Sequence, residues 1–484
     1  MSSQTASSPF HLLLAGPEDG QEVRFQPDEH ALALLPRIPP TPMSLGGHLG
    51  DAGGDPNSLE AQRWGLVLPE GEDVEHILRE LAPLRELRER QQGAPVRTYC
   101  VPAGLEGPTV HAWCDDSYEY DGTDEHERPR YLLLVGGFKR LSLELQQALS
   151  TRAWVGRLAF DRLEDYGHYA RKVCRWAEAE GERQAEALFY SVRDGTSATR
   201  IGHTGLVEPG YQQMLRLQAR GVRPLAGLRG PDELGRAPKD FLEMAATTRP
   251  AVLLSMSHGM RASAGGWNSA REQRDLQGAM RFGFNRWVSG ADVEGRAFLP
   301  GGFWLYFACF GAGTPAVSQY RSWLELLRAR GVDGVDVEDL VRSIEGPAPR
   351  PFTAALPQRA LANPDGPLGV IAHVDLTWSS SFQDTKDGTR SRASRFLEPV
   401  NLLAKGNRAG IAIKNLAFAA SSIEHLLALD YDAMSRGQAV DQVHLGQLWM
   451  LRQDLRSFVL LGDPAARLPL RPDLSLDGGK GTRP

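Results

Sequence analysis

The chain has 484 residues, of which 42% are hydrophobic, 8% aromatic and 24% charged, so it is no disordered polymer and holds apolar material for a sizeable core. Its 54 basic and 60 acidic residues leave a net charge of −6, which gives no global electrostatic footprint for nucleic acid or an anionic membrane. No run of about 18 apolar residues is present to span a bilayer. The first nine residues lack the basic start and apolar centre of a signal peptide. Cys100, Cys114, Cys174 and Cys309 form no C-x-x-C pair and no zinc set, which suits free thiols in a reducing, cytoplasmic setting.

Residues 1–58 read as a flexible segment, with Pro36, Pro39, Pro40 and Pro42 followed by a Gly-rich stretch at 46–54. A small α/β region is expected at 59–114. It has a strand from Trp64, a helix over 73–90 with Ile77, Leu78, Leu81, Leu84 and Leu87 on one side, and a second strand from Val96. That order suits a right-handed crossover. Residues 115–128 are acidic and aperiodic and read as an exposed linker. From 129 to 472, apolar runs alternate with helical periodicity. Buried strands are expected at 131–137, 155–160, 187–192, 251–256, 303–308 and 368–374, and helices at 142–149, 164–181, 208–220, 320–330, 337–343, 411–429 and 440–456. A helix at 393–403 is expected to kink or end at Pro399. The alternation predicts an α/β fold, a mostly parallel sheet with helices on both faces, and 473–484 read as a flexible tail.

In such sheets, ligands bind beyond the carboxyl ends of the strands. Two strand ends carry chemistry. The run from Ala251 leads to Ser257-His258-Gly259, and the run from Phe303 leads to Ala308-Cys309-Phe310-Gly311. A thiolate is a nucleophile, and a neighbouring imidazole takes its proton or protonates a leaving amine. The Gly259 and Cys309 amides are candidate donors to an oxyanion, and Gly311 and Gly313 leave the following turn unobstructed. His203 is the rival base; His373, inside an apolar strand, reads as core. Cys100 and Cys174 read as packing residues and Cys114 as incidental. The loop after Cys309 lacks the third glycine of a dinucleotide fingerprint and the Lys of a P-loop, and neither His-Glu-x-x-His nor Gly-x-Ser-x-Gly occurs. No cofactor and no metal is expected.

Taken in order over about 131–470, these motifs resemble the caspase-like cysteine peptidases, within them the gingipain-like and CHAT-domain branches. Tyr131 to Gly137 is similar to that fold's first strand, and Val155-Gly-Arg with the helix from Asp165 to its Gly-Arg strand and following helix. Ser257-His258-Gly259 followed by Trp267 resembles the His-Gly segment, and Ala308-Cys309 the nucleophile strand. His258 stands 51 residues upstream of Cys309 (258 to 309), near the spacing known in caspases. Residues 369–378 resemble the strand whose Trp closes over the specificity pocket, and 460–468 the closing Gly-Asp-Pro motif. The resemblance implies a caspase-like fold preceded by the small N-terminal α/β region. It further implies a cysteine endopeptidase acting on protein or peptide substrates through His258, Cys309 and an acyl-enzyme, with Trp378 over the pocket and the peptide added as a strand beside it. A basic specificity residue would need a carboxylate, for which Asp375 and Asp194 are candidates. Control by a protein partner, or by a cut in the connection 346–367, is expected. Two rival classes are a catalytically silent caspase-fold scaffold for protein–protein interaction and another thiol enzyme, such as an acyltransferase or small-amide hydrolase.

Overall fold

Runs of Leu, Val, Ile and Phe with no polar alternation cannot face water on either side, so they must be covered on both. In the computed structural model, which describes residues 10–17, 22, 23, 25, 27–35, 54–71, 74–120, 122–222, 225–232, 235–263, 265–332, 334–383 and 391–471, such runs and two less buried edge strands form one ten-stranded sheet. They are β1 (Trp64–Pro69), β2 (Arg97–Val101), β3 (Tyr131–Val135), β4 (Trp154–Leu158), β5 (Glu186–Ser191), β6 (Gly227–Arg229), β7 (Ala251–Met256), β8 (Phe303–Phe307), β9 (Gly369–His373) and β10 (Phe458–Gly462). The order across the sheet is β2-β1-β3-β4-β10-β9-β8-β7-β5-β6. Neighbours run parallel except β9 and β10, whose antiparallel pairing from Gly369↔Gly462 to His373↔Phe458 joins two parallel halves.

Successive side chains of a strand point to opposite faces, and here they enter two different clusters. Leu66, Leu68, Leu133 and Val135 pack with Leu81, Leu84, Leu87 and Tyr169. Val67, Leu132, Leu134 and Val155 pack with Val110, Trp113, Leu145 and Leu149 on the other side. The helix expected over 73–90 is two, Val74–Glu80 and Ala82–Gln92, because Pro83 is tolerated in a first turn and not in an interior. Ser394–Ala404 stays helical through Pro399; burial of Phe396, Leu397, Val400 and Leu403 outweighs the missing N–H.

Three expectations about segments change. Residues 59–114 do not stand apart: β1 and β2 extend the same sheet, and Asp463, just past β10, accepts from Trp64 Nε1 at 2.9 Å and Arg88 Nε at 3.0 Å. Residues 115–128 are not an exposed linker. Tyr118 is buried with its hydroxyl donating to the Pro129 carbonyl at 2.9 Å, while Asp115 and Glu119 pair with the Arg152 guanidinium at 2.6 and 2.9 Å. Within 1–58, residues 10–15 are buried strand-like chain, and Trp323 Nε1 donates to the Ala31 carbonyl at 2.9 Å from the helix Glu29–Ala33. Residues 36–53 and the tail 473–484 lie outside the described residues. The connection 346–367 is largely packed: Phe352–Thr353 pairs with Gly313–Thr314, and the helix Ala355–Ala362 buries Leu356, Ala360 and Leu361. No helix among the described residues is long and apolar enough to cross a membrane.

Arg88 and Asp463 are both almost wholly buried, so removing one leaves an uncompensated charge in the core. Asp463→Ala is expected to lower unfolding stability by about 3–5 kcal/mol. A urea midpoint within error of the wild type would contradict that role.

Candidate active site

The parallel register of β7 and β8 runs from Val252↔Phe303 to Met256↔Phe307. His258 and Cys309 each lie two residues beyond that last pair, so the register itself brings them to one level. The chain past β7 forms a further short strand, His258–Met260, beside Leu14–Ala15 and Met280–Arg281. A Cβ at Gly259 would sit 1.9 Å from the Cys309 carbonyl oxygen, an approach only glycine permits.

His258 is fully buried. Its Nε2 lies 2.8 Å from Thr196 Oγ1 and 3.8 Å from Asp194 Oδ2, and its Nδ1 has no hydrogen-bond partner among the described residues. Thr196 Oγ1 donates to Asp194 Oδ1 at 2.8 Å, so it accepts from Nε2–H; that assigns the proton to Nε2 and the lone pair to Nδ1. Asp194 Oδ1 also accepts from Thr196 N–H at 3.2 Å and Thr199 Oγ1 at 2.8 Å, and Arg281 Nη1 stands 3.5 Å from Oδ2. Burial pulls the Asp194 carboxyl upward, but His258 and the threonine donors outweigh it and hold the group below its ordinary value. Burial drives the His258 imidazole below its ordinary pKa, with Asp194 and Glu22 opposing and Arg281 adding to the fall.

Cys309 is also fully buried. Its Sγ accepts from Thr377 N–H at 3.2 Å and lies 3.5 Å from the Thr377 carbonyl. Burial pushes the thiol well above its ordinary pKa, against the Thr377 donor. The Gly259 and Cys309 N–H groups converge on a single oxygen, the Leu13 carbonyl, at 2.9 and 3.3 Å. Leu13 N–H donates to the Thr377 carbonyl at 3.2 Å, and Ser379 N–H donates to the His11 carbonyl at 2.9 Å.

Of the residues singled out in the sequence, Asp194 stands against the His258 imidazole, Gly259 packs on the Cys309 main chain, and the strand register sets His258 and Cys309 at one level. Asp194 stands beside the imidazole and not beneath a pocket, because it follows β5, the strand adjacent to β7. Asp375, at φ 103°, is buried and accepts from Gln319 N–H at 2.8 Å and Leu376 N–H at 2.9 Å; burial raises its carboxyl to about 6. Trp378 is fully buried, edge-on to Phe25 at 6.1 Å and Tyr320 at 5.8 Å between ring centroids, and its main chain bridges to Leu12. His373 is a satisfied core residue, 2.9 Å from Asp454 Oδ1 and 3.1 Å from the Asp375 carbonyl. His203 bonds Ser191 Oγ at 2.9 Å and Arg193 Nη2 at 3.1 Å. With Glu208 and Asp232 it brings ligand atoms within 4.8 Å, but the Arg193 guanidinium already supplies the positive charge there. Sequence reasoning missed Thr196, Thr377, Arg281 and Leu13; the available signal for the last was the apolar run Phe10-His-Leu-Leu-Leu-Ala15.

A buried thiol of raised pKa is a poor nucleophile toward solvent reagents. In the chain beginning at Met1, iodoacetamide at neutral pH is expected to label the exposed Cys100 and leave Cys309 unmodified until denaturant is added. Peptide mapping that finds both labelled at equal rates would show the site to be open.

No family model matches the chain, and no curated protein does. Among solved structures it is similar to one described as a protease, at 11% identity and a TM-score of 0.49 over 89% of this chain and 82% of that one. It is likewise similar to the Arg-specific cysteine proteinase gingipain R, at 13% identity and a TM-score of 0.47 over 86% of this chain and 80% of that one.

Proposed function

We propose that the chain is a cysteine endopeptidase of the caspase-like kind, hydrolysing peptide bonds through Cys309 and His258. The observation that carries this reading is the convergence of the Gly259 and Cys309 amides on one peptide carbonyl, beside a thiol and an imidazole whose Nδ1 is free to take a proton. His258 Nδ1 accepts the thiol proton as Sγ attacks the carbonyl carbon, and the oxyanion settles between the two amides. His258 then returns the proton to the leaving amine, and water releases the acyl group from Cys309. The Nε2–H, held by Thr196 and facing Asp194, fixes the ring orientation and stabilises the imidazolium; Thr377 N–H does the same for the thiolate. The sequence resemblance to the gingipain-like and CHAT-domain branches supports the same chemistry.

Two features favour a peptide over a small amide and catalysis over a silent scaffold. The segment 377–379 offers main-chain groups to an extended backbone. An imidazole nitrogen with its lone pair free, at the level of a thiol, is the base that catalysis needs and a silent scaffold does not. The reading includes a reducing cytoplasm, where the unpaired Cys309 stays reduced, and a protein partner or a cut that opens the site.

On a peptide library varied at the residue before the cut bond, Cys309→Ala is expected to abolish turnover and His258→Ala to lower it about 10²–10⁴-fold. Asp194 is a positioning residue. Because its carboxylate raises a depressed imidazole pKa, Asp194→Asn should slow turnover and move the acid limb of the pH profile further down. Turnover that survives Cys309→Ala would sink the reading.

A further inference from the structure

Residues Phe10 to Ala15 are 0–6% exposed, and their main chain is held from two sides. His11 to Leu13 run antiparallel to 377–379, through Leu13 N–H to the Thr377 carbonyl, Ser379 N–H to the His11 carbonyl and the Leu12–Trp378 bridge. Leu14 and Ala15 then run parallel to Gly259 and Met260, with Arg261 N–H donating to the Ala15 carbonyl at 3.2 Å. The strand changes partner at one peptide unit, and that unit's carbonyl is the one held by the amides of Gly259 and of the nucleophile. A carbonyl oxygen can accept from two donors, and here the two are the amides that flank the imidazole and carry the thiol.

The side chain at that position is aliphatic and wholly buried. Neither candidate carboxylate is free to meet a cation there, since Asp375 is engaged by main-chain amides and Asp194 by His258, Arg281 and two threonines. Resting on the peptidase reading above, we propose that the site takes extended peptides with an aliphatic residue on the carbonyl side of the cleaved bond. The chain's own Phe10–Ala15 is such a peptide, and Leu13–Leu14 is the bond it offers to Cys309. In the reaction, Sγ adds to the Leu13 carbonyl carbon, the C–N bond to Leu14 breaks, and the thiol proton passes through His258 to the Leu14 nitrogen. A thioester to Leu13 and a new N-terminus at Leu14 result; water then frees residues 1–13 with a terminal carboxylate. Until that happens the tethered segment acts at an effective concentration on the order of millimolar and outcompetes peptides in solution.

The test incubates full-length wild type, Cys309→Ala and Cys309→Ser, reads each N-terminus by intact mass and sequencing, and offers the same samples the varied peptide library. Expected is a chain starting at Leu14 from wild type alone, with cleavage after Leu or Met favoured at least about tenfold over Arg, Lys or Asp. An intact Leu13–Leu14 bond in wild type that turns over library peptides, or a preference for a charged residue, overturns this inference and leaves the peptidase reading standing. A cut after Leu13 that is as fast in both variants also overturns it, because another protease made it. Silence of wild type toward both bond and library overturns this inference, which needs no partner for a bond already seated at Cys309, and leaves the peptidase reading only in the form that requires a protein partner.

Discussion

The register between β7 and β8 is the constraint on which the rest of the site depends. Their Val252↔Phe303 to Met256↔Phe307 pairing puts His258 and Cys309 at one level. A slip by one residue would turn every side chain to the opposite face, so the buried aromatic and aliphatic residues of both strands defend the register strongly. Beyond the last pair the chains close further, and the absent Cβ of Gly259 lets the Cys309 carbonyl approach where any other residue would collide. The two amides can point at a common oxygen only at that separation. The same crowding excludes water from the thiol and the imidazole and accounts for the direction of both pKa shifts.

Those shifts describe a resting site. A neutral imidazole and a protonated, desolvated thiol add no charge to a dry interior, which tolerates them. Asp194 is ionised in the same interior only because two threonine hydroxyls, an amide, His258 and Arg281 surround it. The carboxylate is thus arranged to favour a positive imidazole, the state that the proposed reaction passes through when the thiol proton moves. A charge that develops during reaction finds its partner already oriented, at no cost of reorganisation.

The placement of His258 and Cys309 at the ends of two strands was legible in the sequence because both follow long apolar runs, and such runs declare buried parallel strands. Asp194 was legible as a carboxylate past a strand, but its role follows from β5 lying beside β7, and strand order is not written in local periodicity. For the same reason 59–114 read as a separate region, although β1 and β2 continue the main sheet. The strand β10 escaped because only Ser457 separates it from the helix ending at Arg456, leaving no turn signal. The acidic stretch 115–128 read as solvated because its partner Arg152 is distant in sequence. The run at 10–15 is short and lies among prolines, glycines and serines, and composition averaged over 1–58 hid it.

That short run is held with little surplus. Burying the side chains of Phe10, Leu12, Leu13 and Leu14 contributes about 1.5–3 kcal/mol each, or roughly 6–12 kcal/mol. Ordering six residues of backbone costs about 1–2 kcal/mol each, a similar total. Main-chain bonds to 377–379 and 259–261 replace bonds to water and add about 1 kcal/mol apiece at most. The balance is a segment that stays seated when tethered, where it need not lose translational freedom, yet whose residues 10–13 gain little from staying once the Leu13–Leu14 link to the fold is cut. A bound peptide that is stable while attached and weak once released is what a site that cleaves its occupant requires, since product held as tightly as substrate would leave the nucleophile covered after a single turnover.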